Sequence, residues 1–125
     1  MRRWKRNSVL EGKVNKRLTG MLGFAMRAGK VVIGTESVCS AMAKRGKEKP
    51  RLILIAQGVS DGTNKKLLTK AEFYGIDTLT IDIDSGELGR LLGKLYAPAT
   101  VAVVDDRFAE EIKRAVCGDE KDTVS

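Results

Sequence analysis

The sequence predicts an α/β fold in which helices cover both faces of a small, largely parallel sheet. Three observations point there. Short β-branched runs alternate with helical periodicities of about ten residues, glycines fall where those helices should stop, and 125 residues suit one hydrophobic core better than two. With 42% apolar residues and only two prolines, the body has the material to fold. We therefore expect one domain over residues 8–117, a basic flexible arm over 1–7 around Trp4, and an acidic flexible tail over 118–125.

Ser8 and Glu11 have the spacing of a capping box, whose hydroxyl and carboxylate satisfy free amides, so the first helix is expected to begin there. Leu10, Val14, Leu18, Met21, Leu22 and Ala25 continue it at helical spacing until Gly29 offers a stop. Val31–Ile33 is a short β-branched strand, and Gly34-Thr35 turns the chain into a second helix bearing Val38, Ala41 and Met42 that ends near Gly46. Residues 44–49 read as a polar linker. Residues 51–56 (RLILIA) form a buried strand. A loop with Gly58 and Gly62 follows, and a third helix starts near Asp61 or Thr63, turns Leu67, Leu68 and Ala71 inward and stops at Gly75. Residues 78–83 alternate as a strand does. Ser85 is expected to cap a fourth helix with Leu88, Leu91 and Leu92. Residues 99–104 are the last strand, and Asp105 or Asp106 caps a fifth helix carrying Phe108, Ile112 and Val116. Four strands and five helices account for nearly everything.

No apolar run approaches the roughly 18 residues needed to cross a bilayer, and no continuous apolar stretch or cleavage site follows the basic start. A soluble, cytoplasmic protein without membrane partners is expected. Cys39 and Cys117 lie far apart with no metal-type spacing, so both are expected as reduced thiols, with no metal and no cofactor. The chain has no histidine, which removes the usual general base near neutral pH and every Cys/His zinc scheme. The carboxylate pairs Asp82/Asp84, Asp105/Asp106 and Glu110/Glu111 have no nucleophile or ligand pattern beside them, so no catalysis is expected.

Charge is sorted along the chain. Residues 1–75 carry 17 Lys/Arg against 5 Asp/Glu, while residues 76–125 carry 6 against 11. A front half of net +12 that also contains a glycine-punctuated helix start points to a polyanion, with RNA the leading class. Within it, Arg27, Lys30, Gly34, Thr35, Glu36 and Ser37 surround a strand-to-helix turn. Unpaired amides and the positive end of the helix dipole can hold an anion at such a turn, and Gly34 lets a nucleic-acid backbone come close. The same turn also reads as an ordinary helix start. Residues 58–66 look like a nucleotide-binding loop only superficially. Three residues rather than four separate Gly58 from Gly62, and Thr63-Asn64 displaces Lys65 and Lys66, so an NTPase reading is set aside. The two lysines are either phosphate contacts or a solvated helix turn. Ahead of the last strand, Leu95, Tyr96 and Pro98 are apolar groups in a loop, where Tyr96 either stacks on an extruded base or is half-buried in the fold.

Taken in order, residues 21–34 (MLGFAMRAGKVVIG), 52–56 (LILIA), Asn64-Lys65-Lys66, 88–94 (LGRLLGK) and 100–104 (TVAVV) resemble the kink-turn RNA-binding ribosomal-protein superfamily, specifically its bacterial YlxQ-like branch, over about residues 18–116. The resemblance implies a three-layer α/β/α sandwich around a mixed four-stranded sheet. It also implies a non-enzymatic monomer whose partners are structured RNA, such as rRNA, and ribosomal proteins. RNA contacts would fall in residues 34–40, 57–66 and 95–99, which adds Ser40, Gln57, Gly58, Asn64 and Ala97 to the candidates. Typical kink-turn binders carry Gly-x-Asn-Glu-x-x-Lys at the second helix start and read guanine edges of sheared G·A pairs. This chain has Gly34-Thr35-Glu36-Ser37-Val38-Cys39-Ser40. A carboxylate at Glu36 cannot supply the donor of an asparagine amide, and Ser40 carries no cation, so an altered base-reading motif is expected. Gln57-Gly58 likewise stands where an acidic pair is common. The rival reading from another class is a protein-interaction adaptor of the translation machinery.

Overall fold

The computed structural model describes residues 9–12 and 16–124, with side chains from 16 to 116. The arm over 1–7, with Trp4, and Ser8 lie outside the described residues, as does the side chain of Cys117. The strands are β1 (Val9–Gly12), β2 (Val31–Ile33), β3 (Leu52–Gln57), β4 (Asp77–Asp84) and β5 (Thr100–Val103). The helices are α1 (Lys16–Arg27), α2 (Thr35–Met42), α3 (Asp61–Tyr74), α4 (Ser85–Leu91) and α5 (Asp106–Val124), with a short 3-10 turn at Gly46–Glu48.

β3 organises the rest. Its first five residues are fully buried, and their alternation sends Leu52, Leu54 and Ala56 into one core and Ile53 and Ile55 into the other. The first core takes Leu18 and Leu22 of α1, Leu88 of α4 and Ala109, Ile112 and Ala115 of α5; the second takes Val38 and Met42 of α2 and Leu67 and Ala71 of α3. Helices therefore cover both faces, and the three-layer sandwich follows from the continuous apolar run in β3. Burying one such side chain stabilises by about 1.5–3 kcal/mol, so truncating Leu54 to alanine would cost about 2–5 kcal/mol once the cavity is included.

The sheet order is β1-β4-β3-β5-β2. β1 pairs with β4 and β4 with β3 in parallel, while β5 runs antiparallel to both β3 and β2. The mixed four-stranded sheet is β2 to β5. Periodicity alone suggested a largely parallel sheet, and this is corrected by the two antiparallel pairings of β5. A fifth strand extends the sheet. Where a capping box at Ser8 and Glu11 was expected to start a helix, Val9–Gly12 pairs with residues Thr78 to Ile81 instead, and α1 begins at Lys16. The open edge of β4 offers a row of backbone donors and acceptors, and satisfying them outweighs a local cap.

Smaller corrections concern helix ends. Asp84, not Ser85, caps α4, its Oδ1 accepting from the Glu87 amide at 2.9 Å. Asp105 caps α5 by accepting from the Phe108 amide at 3.1 Å. The second helix stops at Met42, and Gly46 opens the 3-10 turn instead of closing that helix. The backbone of 118–124, read as a tail, continues α5. Gly75 closes α3 as expected. A short ion pair, Lys113 Nζ to Asp77 Oδ2 at 2.8 Å, ties α5 to the start of β4 with both side chains nearly buried.

Candidate nucleic-acid interface

β3 and β4 end, and β5 begins, on one edge of the sheet, and three segments meet there. Gly34 leaves β2 at φ 102°, a conformation strained for residues with a Cβ. Its amide donates to the Thr100 carbonyl at 2.9 Å, and its carbonyl accepts from the Val38 amide to open α2. No side chain caps that helix, so the first-turn amides around Thr35, Glu36 and Ser37 keep their donors. The Thr35 and Thr100 hydroxyls lie 3.1 Å apart. The Ala56 amide donates to the Ala99 carbonyl at 2.9 Å, which fastens the loop over 95–99 to the end of β3.

That loop is also held from below. A Cβ at Gly89 of α4 would collide with the Tyr96 carbonyl oxygen and lie 3.2 Å from Pro98 Cδ, so only glycine allows the approach. With Pro98 buried, Leu95 is left fully exposed and Tyr96 is 56% exposed, an apolar ledge on the rim. Ala97 between them is exposed.

The third segment follows a bulge between Ile55 and Gln57. Gln57 and Gly58 are exposed, and Ser60 caps α3 by accepting from the Thr63 amide at 3.2 Å. Asn64 is half-buried and bonds through its amide to the Ser60 carbonyl at 2.9 Å. Lys65 and Lys66 then stand exposed on the first turns of α3, and Lys66 Nζ reaches to 4.0 Å from Glu36 Oε2 on α2. This exposed pair bridges the two helices while contributing little to stability. Ser37 and Ser40 are exposed on α2, Ser40 one turn beyond Glu36.

Arg27 and Lys30 do not join this group, which corrects the expected cluster. The Lys30 carbonyl accepts from the Val104 amide at 2.9 Å, whereas Gly34 bonds Thr100 at the other end of β5. Extended chain rises about 3.3 Å per residue, so β2 separates Lys30 from Gly34 by about 13 Å. The Arg27 guanidinium sits 5.2 Å over the Phe24 ring. Residues the sequence reading passed over include Thr100, Gly89 and Ser60. A buried threonine heading an apolar strand was the available signal for Thr100, because a buried hydroxyl needs a partner.

Among the described residues no group of three or more His, Cys, Asp or Glu could hold a metal ion, and no helix is long and apolar enough to cross a membrane. The fold and rim define a class: single α/β/α sandwiches that gather backbone donors, lysines and an exposed aromatic at one sheet edge, where an anionic polymer can lie. The chain belongs to the ribosomal protein L7Ae/L30e/S12e/Gadd45 family, whose model matches residues 16–113. It is 30% identical over 109 residues to the RNA-binding protein YlxQ of Enterococcus faecium, across 86% of this chain and 98% of that protein. It is 33% identical over 91 residues to the large ribosomal subunit protein eL30 of Sulfurisphaera tokodaii, across 70% of this chain and 83% of that one. A solved structure of a protein of unknown function from Bacillus halodurans superposes with a TM-score of 0.70 at 26% identity, covering 79% of this chain and 95% of the other. The 15.5kD RNA binding protein of Giardia lamblia shares the fold at a TM-score of 0.62 and 17% identity, covering 81% of this chain and 86% of its own. The resemblance read from motif order is thus upheld.

Proposed function

We propose that the rim binds structured RNA, such as rRNA, and that the protein acts there without catalysis, as a cytoplasmic monomer attached to ribosomes or their RNA beside ribosomal proteins. The observation that carries this reading is the convergence of an uncapped helix start, two lysines and an exposed tyrosine ledge, tied together through Thr100 and Ala99. Phosphates meet Lys65, Lys66 and the amides after Gly34, which set position but not sequence. Tyr96 stacks on an extruded base beside Leu95. Glu36 accepts hydrogen bonds and donates none, so it selects base edges that present amino groups, while the Ser37 and Ser40 hydroxyls adapt to either partner. The names of the Enterococcus and Sulfurisphaera relatives support RNA and the ribosome as the setting.

Binding to purified ribosomal RNA across salt concentrations tests the reading. Each phosphate neutralised contributes about −0.7 to −0.9 to the slope of log affinity against log salt, so Lys65 and Lys66 alone give about −1.5. A flat response rejects RNA binding by this rim. Crosslinking in cells that recovers protein without RNA would favour the adaptor reading.

A further inference from the structure

Arg27 and Lys30, displaced from the rim, belong to the opposite edge of the sheet, and that edge has a cleft of its own. It measures about 530 Å³ and is lined by Lys30, Lys47, Arg51 and Arg107, with Asp105, Asp106, Val104 and Phe108. Both acids are already engaged. Asp105 caps α5 through the Phe108 amide, and Asp106 Oδ1 lies 3.2 Å from Arg51 Nε. Arg51 is further committed to the Gly46 carbonyl at 3.1 Å. Lys30, Lys47 and Arg107 are exposed, and among the described residues none of them forms an ion pair. With Arg51 paired to Asp106, three cations face the single remaining charge of Asp105 around one concave surface, a net of two positive charges that an anion placed between them would offset.

We infer that this cleft is a second binding site for the RNA phosphate backbone, gripping a stretch of the same molecule that lies on the Gly34 rim. The inference rests on the RNA reading of that rim. β3 joins the two edges, running from Leu52, next to Arg51 in the cleft, to Gln57 beside the rim, and its six residues span about 20 Å. A folded RNA that continues past the rim therefore meets the cleft within one domain's width. The lining is rich in cations and its one aromatic, Phe108, is half-buried, so the cleft is suited to phosphates more than to bases.

Five cations across both edges, Lys65, Lys66, Lys30, Lys47 and Arg107, raise the expected salt slope on ribosomal RNA to about −4. The test is the double substitution Lys47→Gln with Arg107→Gln, both exposed and outside the core, titrated against purified ribosomal RNA. The slope should become shallower by about 1.6 and affinity at 0.15 M salt should fall about 20-fold. The exchange Lys47→Arg with Arg107→Lys should leave both unchanged. Screening over about 8 Å at this salt keeps lost charge from weakening the rim 20 Å away, so a change in slope reports local contacts. An unchanged slope in the Gln variant, with the Lys65/Lys66 contribution intact, overturns the second site alone. A flat wild-type titration overturns the RNA reading and this inference with it. A polyglutamate peptide that binds wild type but not the Gln variant, with the RNA slope unchanged, assigns the cleft to an acidic protein and also overturns the inference.

Discussion

Replacing Lys65 and Lys66 together by alanine separates an electrostatic grip from a merely solvated helix turn. Both lysines are exposed on α3, and Lys66 spends part of its charge on Glu36 at 4.0 Å. Such an exposed pair contributes about 0–1 kcal/mol to folding, and alanine returns a few tenths through helix propensity, so the melting temperature should move by less than about 4 °C. Binding behaves differently. One duplex phosphate contact with a slope of 0.9 is worth about 1 kcal/mol at 0.15 M salt relative to 1 M, so two lost contacts cost about 2 kcal/mol, or about 30-fold in affinity. The loss should shrink as salt rises and vanish near 1 M. Filter binding to ribosomal RNA at five or more salt concentrations resolves the two slopes. Parallel plots, or a deficit that survives at 1 M, would refute phosphate contact by these lysines.

Three further substitutions probe the rest of the rim. Tyr96→Ala should weaken RNAs with an accessible unpaired base by about 1–3 kcal/mol and leave continuous duplexes untouched, and gel-shift titrations that show equal losses on both contradict stacking. Glu36→Asn adds the amide donor that the carboxylate lacks, so preference should move toward RNAs with tandem sheared G·A pairs by about 1–3 kcal/mol in competition binding; no change in preference means Glu36 does not face bases. Gly89→Ala sets a methyl against the Tyr96 carbonyl, where backbone must give way. It should destabilise by about 1–3 kcal/mol in chemical denaturation and impair the same RNAs as Tyr96→Ala, whereas an unchanged midpoint would show the loop free to move aside.

Elements whose signals were local were legible in the chain. The β-branched run at Val31–Ile33, the apolar stretch of β3 and the Gly75 stop of α3 all stand as their residue types dictate. Failures came where a distant partner decided. Glu11 looks like half of a cap, yet β1 is held by β4, some 70 residues away, through register Val9↔Thr78. Residues 118–125 look like an acidic tail, yet the backbone of α5 continues to Val124. The candidate rim was half legible for the same reason. Lys65, Gly34 and Tyr96 follow from charge, glycine placement and loop chemistry, but Lys30 was grouped with Gly34 because they are four positions apart. Three extended residues suffice to carry the chain from one sheet edge to the other, and sequence proximity says nothing of that direction.

The seating of β5 between β3 and β2 has a consequence for biosynthesis. β2 and β3 have no backbone pairing with each other, and β5, emerging after both, welds them together. Translation proceeds from the N-terminus. Until Thr100 leaves the ribosome, Gly34 has no carbonyl to grip and the strand before it has no neighbour in the sheet. A nascent chain halted earlier carries its lysines without a cradle to present them, so under the proposed reading capture of nucleic acid waits until the final strand has been laid in.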